Sequence, residues 1–251
     1  MTGRRRSPWG CLAVAVALSA GVVPTPVQAQ APDFLFKSPK VSLGLRGGYA
    51  VAQASSDIFD FTREQLTLER SDFDAAAWGG QLAVQVSPRV DIAFDVSMAS
   101  SERKSEFRDW VDTNDLPIEQ LTEFRRVPVT LGFKAYFKDR GRSVGRFAWI
   151  PTRWAPYMGA AAGWVWYRFE QDGDFVDFES YDIFNDRYVS HGNAPTLHAY
   201  GGADWTLSPG LFLTAEARYQ WARAEMSGDF VDFDAMDLSG FQTTIGLSIR
   251  F

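Results

Sequence analysis

Residues Phe241–Phe251 alternate without a break. Phe241, Thr243, Ile245, Leu247, Ile249 and Phe251 share one face, and Gln242, Thr244, Gly246, Ser248 and Arg250 share the other. A period of two predicts a strand. Its length is about the 9–11 residues with which a tilted strand crosses a bilayer. The pattern recurs upstream, at about 40–51 (Val41, Leu43, Leu45 and Tyr49 on the apolar face), 76–86 (Trp78, Leu82, Val84, Val86) and 90–98 (Val90, Ile92, Phe94, Val96, Met98). It returns at about 121–137 (Val127, Val129, Leu131, Phe133, Phe137), 154–169, 195–207 (Leu197, Ala199, Trp205, Leu207) and 211–223 (Leu211, Leu213, Tyr219, Trp221). Both faces of 154–169 carry large apolar residues. The face of Trp154, Met158, Trp164 and Trp166 is preferred as the outer one, because Gly159, Ala161 and Gly163 then point into a narrow interior.

Eight such segments predict an all-β chain: one eight-stranded antiparallel transmembrane barrel over 40–251. Ser87-Pro88-Arg89 and Ser208-Pro209-Gly210 are short turns, and a longer basic segment, 138–153, joins strands four and five. The remaining connections read as long loops over 53–75, 100–120, 170–194 and 225–237. Short turns at one end and long loops at the other is the outer-membrane barrel arrangement, and it places both termini in the periplasm. Aromatics form two belts, as lipid interfaces favour. Tyr49, Trp78, Trp164, Trp166, Tyr219 and Trp221 lie toward the long loops; Phe137, Trp154, Trp205 and Phe251 lie toward the turns.

The N-terminus reads as a secretory signal. Arg4, Arg5 and Arg6 precede an apolar run from Cys11 to Val23, with Val27-Gln28-Ala29 as the cleavage site. Residues 30–39 are then a short periplasmic lead. Cleavage removes three arginines, the only cysteine and no acid, moving the formal charge from −6 to −9. Disulfide and thiol chemistry are thereby excluded. The slightly negative mean hydropathy does not argue against a membrane, because barrel strands hide apolar residues one in two.

Charge is divided between the ends. The four long loops hold 24 of the 31 acids and only six basic residues, whereas 138–153 carries five basic residues against Asp139. That bias exceeds what solubility needs. With apolar faces outward, the interior receives Arg46, Arg126, Lys134, Arg218 and Arg250, the acids Asp91, Asp95, Asp204 and Glu216, and His198 with Gln81, Gln85, Gln220 and Gln242. Buried charges must be paired or hydrated, and eight strands leave room only for side chains. A lumen plugged by ion pairs is expected. Glu216 and Arg218 on strand seven, and Arg126 and Lys134 on strand four, are expected to pair with Asp91, Asp95 and Asp204.

One short motif occurs three times: Asp57-Ile-Phe-Asp60-Phe61, Asp174-Phe-Val-Asp177-Phe178 and Asp229-Phe-Val-Asp232-Phe233. The expectation is a cap in which Phe61, Phe178 and Phe233 pack together with the aspartates on the rim. The carboxylate spacing does not match a calcium loop. No metal cluster, nucleotide loop or nucleic-acid patch is visible, so no metal, cofactor or nucleic-acid partner is expected.

Together, the signal peptide, eight alternating strands, Ser-Pro turns, polar lumen and terminal Phe251 resemble the small outer-membrane β-barrel superfamily of the OmpA membrane domain, OmpX and OmpW. The resemblance spans about 34–251 and implies the cell outer membrane, with its lipid as partner. It also implies Phe251 as a signal read by the barrel-assembly machinery. The chain ends at the barrel, so tethering to the cell wall through a C-terminal domain is not implied. A monomeric, non-enzymatic surface or envelope protein is the first expectation. A narrow channel for small or apolar solutes, as in OmpW-like proteins, is the alternative. A lipid-modifying enzyme is the third reading. It is disfavoured because neither His191 nor His198 has a serine two residues on, the spacing used by lipid A deacylases.

Overall fold

The computed structural model describes residues 33–112 and 114–251. The expected signal peptide, residues 1–29, lies outside them. Eight strands form the wall: one, Val41–Ala52; two, Ala75–Ser87; three, Val90–Val111; four, Pro117–Tyr136; five, Trp154–Val176; six, Ile183–Ser208; seven, Leu211–Ala224; and eight, Gly240–Arg250. Each pairs antiparallel with its neighbour in chain order. Strand eight returns to strand one from Ser42↔Arg250 to Ala52↔Gly240, which closes the ring. This is the eight-stranded antiparallel transmembrane barrel expected from the alternation.

Lipid-facing positions fall where the alternation puts them. Leu45, Trp78, Phe94, Leu131, Ile245 and Leu247 are exposed, while Ala83, Ala93, Asp95, Thr130 and Thr244, on the opposite faces of the same strands, are buried. In strand five Trp154, Met158, Trp164 and Trp166 face out, while Tyr157, Val165, Tyr167 and Phe169 face in. The preferred face of that strand is the observed one.

The loops differ from expectation. Residues 100–120 and 170–194 are mostly strand. Strands three and four continue to Val111 and from Pro117, and strands five and six to Val176 and from Ile183. Two long hairpins therefore stand above one side of the barrel. Along them the alternation changes meaning: Phe107, Ile118 and Phe124 turn inward, while Glu102, Lys104, Glu106 and Arg125 turn outward. Water has replaced lipid as the outer solvent.

The connection between strands one and two folds as a helix, α1 (Asp57–Gln65), followed by a short 3-10 turn at Arg70–Phe73. Ile58, Phe59 and Thr62 share its buried face, with Leu66 buried just past its end; this is helical spacing. Asp57 and Asp60 sit in its first turn, where acids favour the helix dipole, and Arg63 pairs with Asp60 one turn on. At the other end of the barrel, 138–153 is not a plain turn. It contains a small hairpin, Gly141–Val144 with Ala148–Pro151, held by Leu35 through hydrogen bonds in both directions with the Trp149 backbone (2.9 and 2.7 Å).

Candidate functional site

Among the described residues the buried charged groups are concentrated in the barrel interior, which is built in tiers. At mid-height, Arg46 of strand one and Arg218 of strand seven reach across to the same two carboxylates. Arg46 pairs with Asp95 and, at 2.7 Å, with Glu216. Arg218 lies 3.0 Å from Asp95 and 2.8 Å from Glu216. Tyr157 donates its hydroxyl to the second Glu216 oxygen at 2.8 Å. Each charge thus faces two opposite charges, and the hydroxyl meets an oxygen the arginines leave over. This arrangement is what makes buried ion pairs tolerable.

His198 is tied into the same tier. Its Nδ1 lies 3.3 Å from an Arg218 nitrogen and its Nε2 lies 3.1 Å from Thr196 Oγ1. A guanidinium only donates, so Nδ1 accepts and Nε2 carries the proton. Thr196 in turn donates to the Trp221 carbonyl at 3.2 Å. Both ring nitrogens are occupied, which suits a structural histidine and not a base.

The tier nearer the turns centres on Asp204 and Asp91. Asp204 accepts from Tyr136 (2.9 Å) and Thr214 (2.8 Å), with Lys134 at 3.9 Å. Lys134 also lies 3.8 Å over the Tyr157 ring. Asp91 pairs with Arg140 at 2.7 Å, a residue of the basic connecting segment that sequence reasoning had placed outside the lumen. Arg250 stacks on Phe212 (4.4 Å) and Trp149 (5.7 Å) and donates to Thr206 at 2.8 Å. The small hairpin therefore sends Arg140 and Trp149 under the mouth. Gln85 Oε1, Asp91 Oδ1, Arg140 Nε and Arg250 Nε are buried without a protein partner. A polar cavity of about 350 Å³ opens beside Gln85, Arg140 and Trp149. Groups of this kind are ordinarily satisfied by water.

One expected pairing is corrected. Arg126 makes no ion pair among the described residues; it donates to the carbonyls of Leu238 (3.2 Å) and Ser239 (3.3 Å) and lies 5.0 Å over Phe124. Its height on strand four puts it above the acids, beside the start of strand eight. Arg250, at the opposite end, has aromatic rings and a hydroxyl as neighbours.

Toward the loops the interior becomes apolar. Phe59 of α1 packs edge-to-face on Phe73 (4.7 Å), Phe124 (5.2 Å) and Phe169 (6.0 Å), and Phe169 on Phe230 (5.4 Å). Val165, Met226, Met236 and Leu238 complete this core. It caps the charged tiers, and helical spacing at 58, 59, 62 and 66 was the signal that would have exposed it.

The cap is not the one expected from the repeated motif. Phe61 and Phe233 do meet, 5.5 Å apart, but both are partly exposed. Phe178 is elsewhere, beside Trp110 at 6.1 Å, with Tyr181 stacked on Trp110 at 5.5 Å. The three copies fold differently: the first opens α1, the second ends strand five, and the third forms a 3-10 turn at Gly228–Phe230. Ile58, Phe59, Val176 and Phe230, internal to their copies, are the buried residues. Aspartates fix the local turns. Asp112 accepts from the N–H of Leu116 (2.8 Å) and Asn114 (2.7 Å), which hold its carboxyl below the ordinary aspartate value. Asp177 is lowered in the same way by the N–H of Glu179.

His191 faces outward and Ser190 inward from adjacent positions of strand six. Ser190 Oγ is engaged by Tyr167 (3.1 Å) and the Ser227 N–H (2.9 Å). Among the described residues the His191 ring meets no hydroxyl nucleophile.

No protein-family model matches the chain, and no curated protein matches it. Among solved structures it is similar to the outer membrane protein OprG from Pseudomonas aeruginosa (12% identity, 86% of this chain and 99% of that one, TM-score 0.48). It is also similar to Neisserial surface protein A (12%, 85% and 98%, 0.45) and to the Escherichia coli Outer Membrane Protein W (13%, 86% and 99%, 0.36). The fold itself is defined by the closed ring of eight antiparallel strands.

Proposed function

We propose that this chain is a non-enzymatic outer-membrane barrel whose lumen is sealed and whose working surface is the pair of tall hairpins. The observation that carries this reading is the doubly shared network of Arg46, Arg218, Asp95 and Glu216 beneath the Phe59 core. Ions crossing the lumen must break both. The residues expected to form a signal peptide take the chain across the inner membrane, and Phe251 presents the last strand to the assembly machinery. The turns and termini then face the periplasm and the acidic hairpins face outward, where Trp110, Phe178 and Tyr181 form an aromatic patch rimmed by acids, a composition suited to binding partners. Planar-bilayer recording on refolded protein is the test. Sealed tiers give no steady conductance, and a large open level overturns the reading.

A second reading is favoured by one feature of the wall. Strand pairing between six and seven stops at Thr196↔Ala222, next to Pro195, which has no N–H to donate. A cleft of about 1050 Å³ lies there among Trp164, Leu197, Trp221 and Ser239. It suits a sideways route for small apolar solutes, which an ion conductance does not detect and a solute-swelling assay does.

A further inference from the structure

The basic segment at the turn end has a property that closing the lumen does not use. Arg140 is spent on Asp91, and the segment's single acid, Asp139, is spent on Arg89 at 2.6 Å. Arg142, Arg146, Arg153 and Lys138 remain without a carboxylate partner among the described residues. Between these cations the hairpin tip carries two apolar residues into solvent: Val144 is 50% exposed and Phe147 74% exposed. Two exposed apolar residues among unpaired arginines combine the two features with which interfacial segments hold to a membrane surface.

The roots of the segment lie on the lipid interface. Phe137 and Trp154, which flank it, are outward members of the aromatic belt, and Lys138 Nζ sits 4.7 Å over the Trp154 ring. The tip is held in shape. Gly145, which opens the turn, takes a left-handed conformation (φ 66°) open to glycine without strain, and Trp149 is locked to Leu35. A preformed tip loses little freedom on binding. Arginines with an aromatic residue, rooted on a lipid belt, match a bilayer surface carrying negative headgroups.

We infer that the hairpin tip of 142–147 is an interfacial anchor that seats Phe147 and Val144 among anionic phospholipid headgroups, with Arg142, Arg146 and Arg153 on their phosphates. This rests on the membrane-barrel reading. The test uses the protein from residue 30 onward, which contains no cysteine, with Phe147→Cys carrying an environment-sensitive fluorophore. The labelled barrel is placed in lipid discs of phosphatidylcholine alone or with phosphatidylglycerol. Spin-labelled lipid should quench the tip several-fold more in the anionic discs. Arg142→Glu with Arg146→Glu should abolish the difference, and the Lys pair at those positions should keep it. Added salt should weaken it. Equal quenching in both lipids, or quenching unchanged by the glutamate pair, overturns the anchor. Heat-dependent gel migration is read on every variant. If the wild type lacks it, the membrane barrel itself is refuted, which is distinct from a folded barrel whose tip ignores lipid charge.

Discussion

Strands three to six run through two solvents, and the lower and upper parts of each strand are opposite in kind. Below the Trp164–Trp166 belt the apolar residues look out and the charges look in; Phe94 is exposed while Asp95 is buried. Above it Phe107 and Phe169 are buried, and Lys104 pairs with Glu119 on the outside. The backbone does not register the change, since strand five runs unbroken from Trp154 to Val176. Lipid on the outside leaves the lumen as the only place for ionised groups, which must then satisfy one another. Water on the outside lets the hairpins collapse as an ordinary globule around Phe59. The two regions should therefore respond differently to the same kind of damage.

The largest effect is expected in the charged region. Glu216→Ala leaves Arg46 and Arg218 with Asp95 alone and strands the Tyr157 hydroxyl. Removing one member of a buried network costs on the order of 3–5 kcal/mol. Urea unfolding in lipid should show a lower midpoint for the whole barrel, followed by loss of heat-dependent migration. A midpoint within error of the wild type would mean that water solvates this tier and that it is no plug.

Phe59→Ala should cost less to the barrel although the ring is wholly buried. Truncations of this type run to about 3–5 kcal/mol, but α1 and its turn can settle into part of the space. The expected signature is local: protease cuts within 53–74 while the heat-modifiable band persists. Equal loss of both would erase the distinction between the two regions and make the interior one cooperative unit.

The smallest effect concerns the hairpin tips on acidification. The N–H groups of Leu116 and Asn114 hold the Asp112 carboxyl below its ordinary value of 3.8. A depressed folded value stabilises the tip above the unfolded value, and that contribution is lost as pH falls through the lower folded one. The Leu116 and Asn114 amides should stay protected from exchange at pH 4 and lose protection only below 3.8, whereas Asp112→Asn removes the dependence. Protection already lost at pH 5 would show that the carboxylate does not hold the turn.

The strand count was readable in the sequence because lipid demands an apolar residue at every second outward position, as in Phe241–Phe251. The upper halves of strands three to six were not readable. Ser101, Ser105 and Gln120 face inward there opposite charged neighbours, so no hydrophobic period marks them. The lumen residues themselves were readable as polar positions on the inner face. Their partners were not, because Asp95 meets Arg46 and Arg218 across the barrel, a matter of register and diameter. Arg140 was missed because a charge in a connecting segment looks solvated until the segment folds back. The motif shared by 174–178 and 229–233 misled for a related reason: identical residues end a strand in one place and form a 3-10 turn in the other.

Arg126 ties together two parts of the ring that the sequence holds far apart. Its guanidinium stands on strand four and donates to the carbonyls of Leu238 and Ser239, just ahead of strand eight. Those carbonyls are more than a hundred residues further along the chain. The contact needs strand four and the approach to strand eight to face one another across the lumen, so it belongs to the closed ring and to neither strand alone.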